Sequence, residues 1–335
     1  MVSKRETRIR TTTFVRPSEG VTLSMPQKGI RASVVRHYGG NTVKEADSEW
    51  GWSDSPIVLP LAFSQREWNA VYIAAHVAEY CGAPLVIFHV RGKQDRVDER
   101  FKSQVDHLIS LLKVRSEYRE KEVDGEPSYQ TVAESIVEQA ERRGAQAIVM
   151  AANKESFLVK MVGRVSDRVA RMSRVRTVLV ETPRPEVRVA EHPRKVLVLV
   201  KESTRSKDAY ILAAALTSLA TTEDAELIAA QAILLPPTVP LDAVEFSDTL
   251  KATEKEFAHS VGESIRSLGR IFTPRILVAR ELGKDIGRFA MAERVDIVIV
   301  SGRRSRDIRD LFGKDTTDIV KNSPCVVLVV FPQET

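Results

Sequence analysis

The chain has 335 residues, 43% hydrophobic and 28% charged, with a formal net charge of +5 and two cysteines. Its length gives room for two cores, and two cysteines as distant as Cys81 and Cys325 suggest no disulfide framework, so a reducing cytoplasm is expected. The sequence contains no apolar run near the roughly 20 residues that cross a bilayer and no signal-peptide core after Met1, and the mild, interspersed charge argues against nucleic acid as a partner.

Residues 1–55 read as a basic, irregular arm. Basic residues from Lys4 to Lys44 face only Glu6 and Glu19, and the stretch closes on Glu45-Ala-Asp-Ser-Glu-Trp-Gly-Trp52. Such composition suits a loosely docked arm. It equally suits a docking segment in which Trp50 and Trp52 anchor in a groove while the basic part meets an acidic partner, lipid headgroups or RNA.

A domain over 56–182 follows. Ile57–Leu61 reads as a buried strand and Gln65–Tyr80 as a helix with Val71, Ala74, Ala75 and Ala78 on one apolar face. Cys81-Gly-Ala-Pro84 is a turn, with Gly82 at the helix C-terminus. A strand over Leu85–Val90, a charged helix over 97–114 and a polar strand over 117–123 come next. A helix over 129–143, a strand over Ala147–Ala151, a helix over 161–173 and a strand over Thr177–Glu181 complete the domain. Residues 183–193, punctuated by proline, read as a linker.

The second domain, 194–335, restarts with a strand over Lys195–Val200. A helix over 207–219, a strand over 226–233, a helix within 241–268 and a strand over Arg275–Arg280 follow. From there the first domain is repeated in register: Ile136, Ala140, Ile148, Gly163, Val169 and Val178 are answered 150 positions later by Ile286, Ala290, Val298, Gly313, Ile319 and Leu328. The first strands are offset by about 139, and the change in spacing is placed in the second helix and its flanking loops. Strands that are apolar on both faces and alternate with helices imply parallel, doubly wound sheets.

In such sheets ligands bind outside the carboxyl ends of the strands, where strand order reverses. The loops after the fourth strands run Ala151-Ala-Asn-Lys-Glu-Ser-Phe-Leu-Val-Lys-Met-Val-Gly163-Arg164 and Ser301-Gly-Arg-Arg-Ser-Arg-Asp-Ile-Arg-Asp-Leu-Phe-Gly313-Lys314. Each ends in a glycine that opens a helix, a geometry able to present backbone N–H groups to an anion. No histidine pair has metal-ligand spacing, no metal site is expected, and neither Ser64 nor Ser203 sits in a nucleophile elbow. His89, ending a core strand, reads as packing at the edge of the cleft.

Strand, small polar loop and Ala-rich helix, the Gly-Ala-Pro turn, the "Phe-His-Val" strand end and the closing Asn322-Ser-Pro-Cys-Val-Val-Leu-Val-Val330 together resemble the universal stress protein superfamily, once over about 55–182 and again over 194–332. The resemblance implies two five-stranded sheets of order 3-2-1-4-5. It also implies a nucleotide site built on a first-strand aspartate and a Gly-two-Gly-nine-Gly-Ser/Thr loop. This chain departs from both features. The aspartate is replaced by Ala62 and Lys201, and the first loop glycine by Ala151 and Ser301. Lys154 and Arg304 replace the second glycine, and each loop is one residue short. Gly163 and Gly313 survive, but Arg164 and Lys314 replace the hydroxyl; Gly302 is a neighbouring substitute, and Ser64, Val90 and Ser203 complete the degenerate site.

Lysine and arginine tolerate the left-handed backbone poorly, yet still attract phosphate. Arg303, Arg304, Arg306 and Arg309 read either as a solvated loop paired with Asp307 and Asp310 or as a site for a phosphorylated ligand. The resemblance therefore points to a non-catalytic, stress-related regulatory or interaction module with ATP binding lost or altered and no required cofactor. The alternatives are a sensor of ATP, AMP or a cyclic dinucleotide, or a slow ATPase, and a cytoplasmic accessory protein of a membrane transporter that is contacted through the arm. In that family the last strand pairs across a two-fold axis, so Val178–Val180 and Val326–Val330 are expected to pair within one chain as an internal pseudo-dimer or to build a homodimer.

Overall fold

The computed structural model describes residues 36–38, 41–43, 51–92, 97–152, 165–200, 206–218, 225–236, 238, 248–303 and 313–334. Within the amino-terminal arm, β1 (Arg36–Tyr38) and β2 (Asn41–Val43) pair antiparallel, so the arm is not wholly irregular. The first half then runs β3 (Ile57–Pro60), α1 (Trp68–Cys81), β4 (Leu85–Arg91), α2 (Glu99–Leu111), β5 (Ser116–Glu122), α3 (Tyr129–Arg142), β6 (Ala147–Ala151), α4 (Val165–Met172) and β7 (Arg176–Glu181). The second half repeats it with β8 (Lys195–Leu199), α5 (Lys207–Leu216), β9 (Glu226–Leu234), α6 (Asp248–Ile265), β10 (Phe272–Ala279), α7 (Leu282–Ala292), β11 (Ile297–Ser301), α8 (Gly313–Asn322) and β12 (Val326–Phe331).

Each half keeps the expected 3-2-1-4-5 order, but the two five-stranded sheets are continuous. Their fifth strands, β7 and β12, pair antiparallel, with Val178 opposite Val330 and Val180 opposite Leu328. The full order is β10-β9-β8-β11-β12-β7-β6-β3-β4-β5, one sheet of ten strands. Edge N–H and C=O groups that each half would expose at its last strand therefore satisfy one another.

The repeated positions explain why the sequence pattern is so regular. Ile136, Ala140, Ile148, Val169 and Val178, and their partners Ile286, Ala290, Val298, Ile319 and Leu328, are all buried. One core lies on the sheet face covered by α1, α2, α5 and α6, and a second lies on the face covered by α3, α4, α7 and α8. Helices α1 and α5 are buried along nearly their whole length, from Asn69 to Ala78 and from Asp208 to Leu216, because each meets the sheet on one side and the other helix on another. At its end α1 turns on Gly82, whose φ of +65° is a conformation that favours glycine.

The two outer edges are blunted differently. In β5 the sequence Ser-Glu-Tyr-Arg-Glu-Lys-Glu is charged and mostly exposed. β10 begins at Phe272, three residues before the expected Arg275, and includes Pro274; an edge strand tolerates the missing N–H on its open side. The change in repeat spacing lies mainly in the second crossover, Arg91 to Ser116 against Leu234 to Phe272. It is partly returned in the connection to the next helix, Glu122 to Tyr129 against Ala279 to Leu282.

The segment at 183–193 is docked against the first half. Val189 is buried, and the Tyr72 hydroxyl donates to the Glu191 carbonyl. Trp52, at the end of the arm, is fully buried. Trp50 and the rest of the basic stretch, apart from the β1–β2 hairpin, lie outside the described residues.

Candidate functional site

Because β7 and β12 run antiparallel, the carboxyl ends of the parallel strands point to opposite edges of the sheet in the two halves. Each half therefore presents its own strand-end site.

In the first half the loop after β3 is closed by its own side chains. The N–H of Ala62 donates to both Glu67 carboxylate oxygens, at 2.9 and 3.1 Å, and the N–H of Ser64 donates to Oε2 at 3.0 Å. Ser64 and Glu67 form the capping box that starts the helical segment leading into α1. Glu67 is buried, and desolvation raises its pKa above the usual carboxylate value despite these donors. Between them Phe63 adopts φ +57°, a left-handed conformation that is unusual for an aromatic residue. Its ring is buried, edge-on to His89 at 5.2 Å and stacked with Tyr118 at 6.3 Å.

His89 is buried at the end of β4, as its position suggested. Its Nδ1 lies 2.7 Å from the Leu61 carbonyl, so this nitrogen carries the proton, while Nε2 has no hydrogen-bond partner among the described residues. Val90 is half-buried in the ladder opposite Lys121, and Ala62 is exposed. Ala151 ends β6 opposite Val180, and the next N–H, that of Ala152, donates to the Val180 carbonyl at 3.0 Å.

In the second half Ser301 ends β11 opposite Val330, and the Gly302 N–H donates to the Val330 carbonyl at 2.8 Å. Gly302 is also pressed against Phe331: a Cβ there would lie 2.6 Å from the ring. Its glycine thus answers a packing demand, and its amide is already engaged in the ladder. Gly313 opens α8, as the loop pattern predicted, and Lys314 beside it is exposed. Asp315, in the same first turn, lines a cavity of about 230 Å³ with Ser301, Val200, Ala230, Leu282 and Ile319. An acidic side chain suits a helix N-terminus, and it places negative charge where an anionic ligand would approach.

The structure thus brings Ala62 and Ser64 onto one loop in the first half, and Ser301 beside Gly302 in the second. Lys154, Gly163, Arg164, Lys201, Ser203 and Arg304 lie outside the described residues, as do Arg306 and Arg309; Arg303 is described and exposed. Among the described residues there is no group of three or more side chains suited to a metal, and both cysteines are free thiols. Burial raises the Cys81 thiol pKa to about 12, keeping it protonated.

Sequence reasoning missed Glu67 as the occupant of the first loop, although Ser64-Gln-Arg-Glu67 before an apolar run is a readable capping signal. It also missed Phe63, for which no local signal exists.

The universal stress protein family model matches residues 55–181 and again 192–330. A search of curated proteins gives no match. Among solved structures, a universal stress protein from Archaeoglobus fulgidus DSM 4304 superposes with a TM-score of 0.56 at 14% identity, covering 84% of this chain and 98% of its own. A putative universal stress protein from Pseudomonas aeruginosa UCBPP-PA14 gives 0.52 at 15% identity, covering 85% and 95%. The cytoplasmic domain of a prokaryotic cation chloride cotransporter gives 0.53 at 11% identity, covering 84% and 96%.

Proposed function

We propose that this chain, which belongs to the universal stress protein family through both of its halves, acts as a non-catalytic, stress-related regulatory or interaction module in which ATP binding is lost or altered. One observation carries the reading. Backbone N–H groups at the strand ends, the usual means of holding a phosphate, are engaged inside the protein: those of Ala62 and Ser64 by Glu67, that of Ala152 by Val180, and that of Gly302 by Val330. A phosphate entering the first loop must displace a buried carboxylate already bonded there.

The paired fifth strands support a pseudo-dimer within one chain, with both halves acting as one body in a cytoplasmic setting. Protein partners are then met through outer surfaces or the 1–55 arm. Native mass spectrometry of gently purified protein, followed by extraction of retained small molecules, tests the proposal. An empty protein whose melting temperature is unmoved by ATP, AMP and cyclic dinucleotides is expected. A stoichiometric nucleotide would overturn it in favour of a nucleotide sensor or slow ATPase.

A second reading, an accessory protein of a membrane transporter, is favoured by the likeness to the cotransporter's cytoplasmic domain. No helix among the described residues is long and apolar enough to cross a membrane, so this reading needs a separate membrane partner. Contact through the arm is abandoned if co-purification with a transporter is unchanged after deletion of residues 1–55, and the reading itself if no transporter co-purifies with the full-length chain.

A further inference from the structure

Each segment that leads into one half also makes a buried contact with the leading helix of the other. Residues 51–55 precede β3, the first strand of the first half; Gly51, Ser53 and Ser55 are held by Arg176 and Gln146 of that half, but Trp52 reaches the second half's leading helix. The indole N–H of Trp52 donates to Asp208 Oδ1 at 2.9 Å. Arg176 Nε meets the same oxygen at 2.8 Å, and its guanidinium stacks 4.3 Å from the Trp52 ring. Arg176 also donates to the carbonyls of Gly51 and Gln146, at 3.3 and 3.2 Å. The Gln146 side chain in turn donates to the carbonyls of Ser53 and Ser55 and accepts from the Ser53 N–H.

Residues 182–191 precede β8, the first strand of the second half, and they are tied to the first half's leading helix. Asn69 Nδ2 donates to Thr182 Oγ1 at 3.0 Å and to the Val187 carbonyl at 2.9 Å, and its Oδ1 accepts from the Val189 N–H at 3.0 Å. Arg188 reaches the Gln65 carbonyl at 2.7 Å.

The two anchors are equivalent. Asn69 and Asp208 are the second residues of α1 and α5, and both are buried. Their separation is that of the first strands, Ile57 pairing in β3 as Val196 pairs in β8. In the first half the strand-end loop leads directly into the helix whose first turn carries the anchor. Whatever opens that loop pulls on the lead-in of the other half, and a buried polar side chain that loses its partners leaves unsatisfied groups behind.

We propose that the two lead-in segments are reciprocal straps that couple the strand-end regions of the two halves. Opening of the first turn of α1 releases 182–191 and loosens β8. Opening of the first turn of α5 releases Trp52 and loosens the lead-in to β3. Coupling of this kind is bidirectional by thermodynamic necessity, and the carrier is a contiguous set of buried bonds rather than proximity alone.

Hydrogen exchange followed by mass spectrometry on the full-length chain tests it without any ligand. Asn69→Ala removes one anchor. Trp52→Phe keeps an aromatic ring but deletes the donor to Asp208. Asn69→Ala removes three hydrogen bonds and is expected to speed exchange by at least about tenfold at 182–191 and in β8, the factor that one such bond alone sets. Trp52→Phe is expected to do the same in β3 and at the first turn of α5. Ile271→Ser, at an exposed position, is the control and leaves both regions unchanged. Faster exchange confined to residues 65–72 and 182–191 in Asn69→Ala, with β8 unchanged, or confined to 51–55 in Trp52→Phe, would overturn the proposal. If Trp52→Phe does not fold, Asn69→Ala and Asn69→Ser decide the question from the other strap.

Discussion

Replacing Gly302 by alanine separates a packing glycine from a ligand-binding one. An added Cβ would meet Phe331 Cε1 at 2.6 Å, Cζ at 2.7 Å and Cδ1 at 2.9 Å, and Phe331 is fully buried in the sheet. Overpacking of this kind costs about 1–3 kcal/mol. Gly302 has no left-handed φ, so alanine is not strained by its backbone and recovers about 0.4–1 kcal/mol by restricting the unfolded chain. A net loss of about 1–2 kcal/mol is expected. Phe331→Leu removes the ring atoms in conflict, at a cost of its own of about 1 kcal/mol. The double variant should then be more stable than the sum of the singles by about 1 kcal/mol.

The assay is urea unfolding followed by circular dichroism, with unchanged m-values required. The chain contains its own comparison: by register, Ala152 and Glu181 in the first half stand where Gly302 and Phe331 stand in the second, so a side chain appears where the opposing ring is absent. A Gly302→Ala protein as stable as the parent, or one whose loss is not relieved by Phe331→Leu, would refute the packing account and return the glycine to ligand binding.

Two further outcomes are expected. His76 lies buried in α1 with its ring 4.1 Å from that of Tyr72 and its Nδ1 without a hydrogen-bond partner among the described residues, and burial, then the nearby His192, lowers its pKa from 6.5 to about 4. The unfolded chain therefore binds a proton between pH 6.5 and 4 that the folded chain does not. Stability is full above about pH 6.5 and falls as the pH drops toward 4, by about 3 kcal/mol. His76→Leu should flatten that slope in parallel unfolding titrations, and an equal slope in both proteins would count against it. Gly283 and Gly287 in α7 face the α8 backbone, where an added Cβ would lie 2.3 Å from Asp318 and Asn322, so either change to alanine should destabilise by about 3 kcal/mol. A loss under about 0.5 kcal/mol would show that the helices part more easily than their packing implies.

Most of the fold was legible because its signals are local. Continuous apolar runs such as Ile57–Pro60 and Val326–Phe331 mark strands buried on both faces, and Gly82 marks where α1 stops. The 150-residue register fixed which helices and strands correspond. What escaped depends on residues distant in the chain: Trp52 and Asp208 are 156 positions apart, and Asn69 and Thr182 are 113 apart. No periodicity reports such a contact. Pro274 hid the start of β10, since proline argues against a strand until the strand is known to lie at an edge. At the candidate site, Ala62, Ala151 and Ser301 were singled out in the sequence, but not the side chains that surround them. Glu67 lies beyond the motif in the first half, and Phe331 belongs to the last strand of the second.

The strand-end amides share a physical consequence. A loop that holds phosphate leaves N–H groups unsatisfied, or hydrated, until the ligand arrives, and binding then stabilises the fold in proportion to occupancy. Here the donors of Ala62 and Ser64 already hold the Glu67 carboxylate, and those of Ala152 and Gly302 extend the ladder to Val180 and Val330. Nothing at these positions waits for a ligand to complete it. The buried charge of Glu67 carries a desolvation cost, which its capping bonds and the α1 N-terminus offset in part. A bound anion there would have to repeat those bonds after expelling the carboxylate into water, so any differential gain is the small remainder of two similar terms. On the proposed reading, that balance leaves little free energy for an anion to gain at these described strand ends.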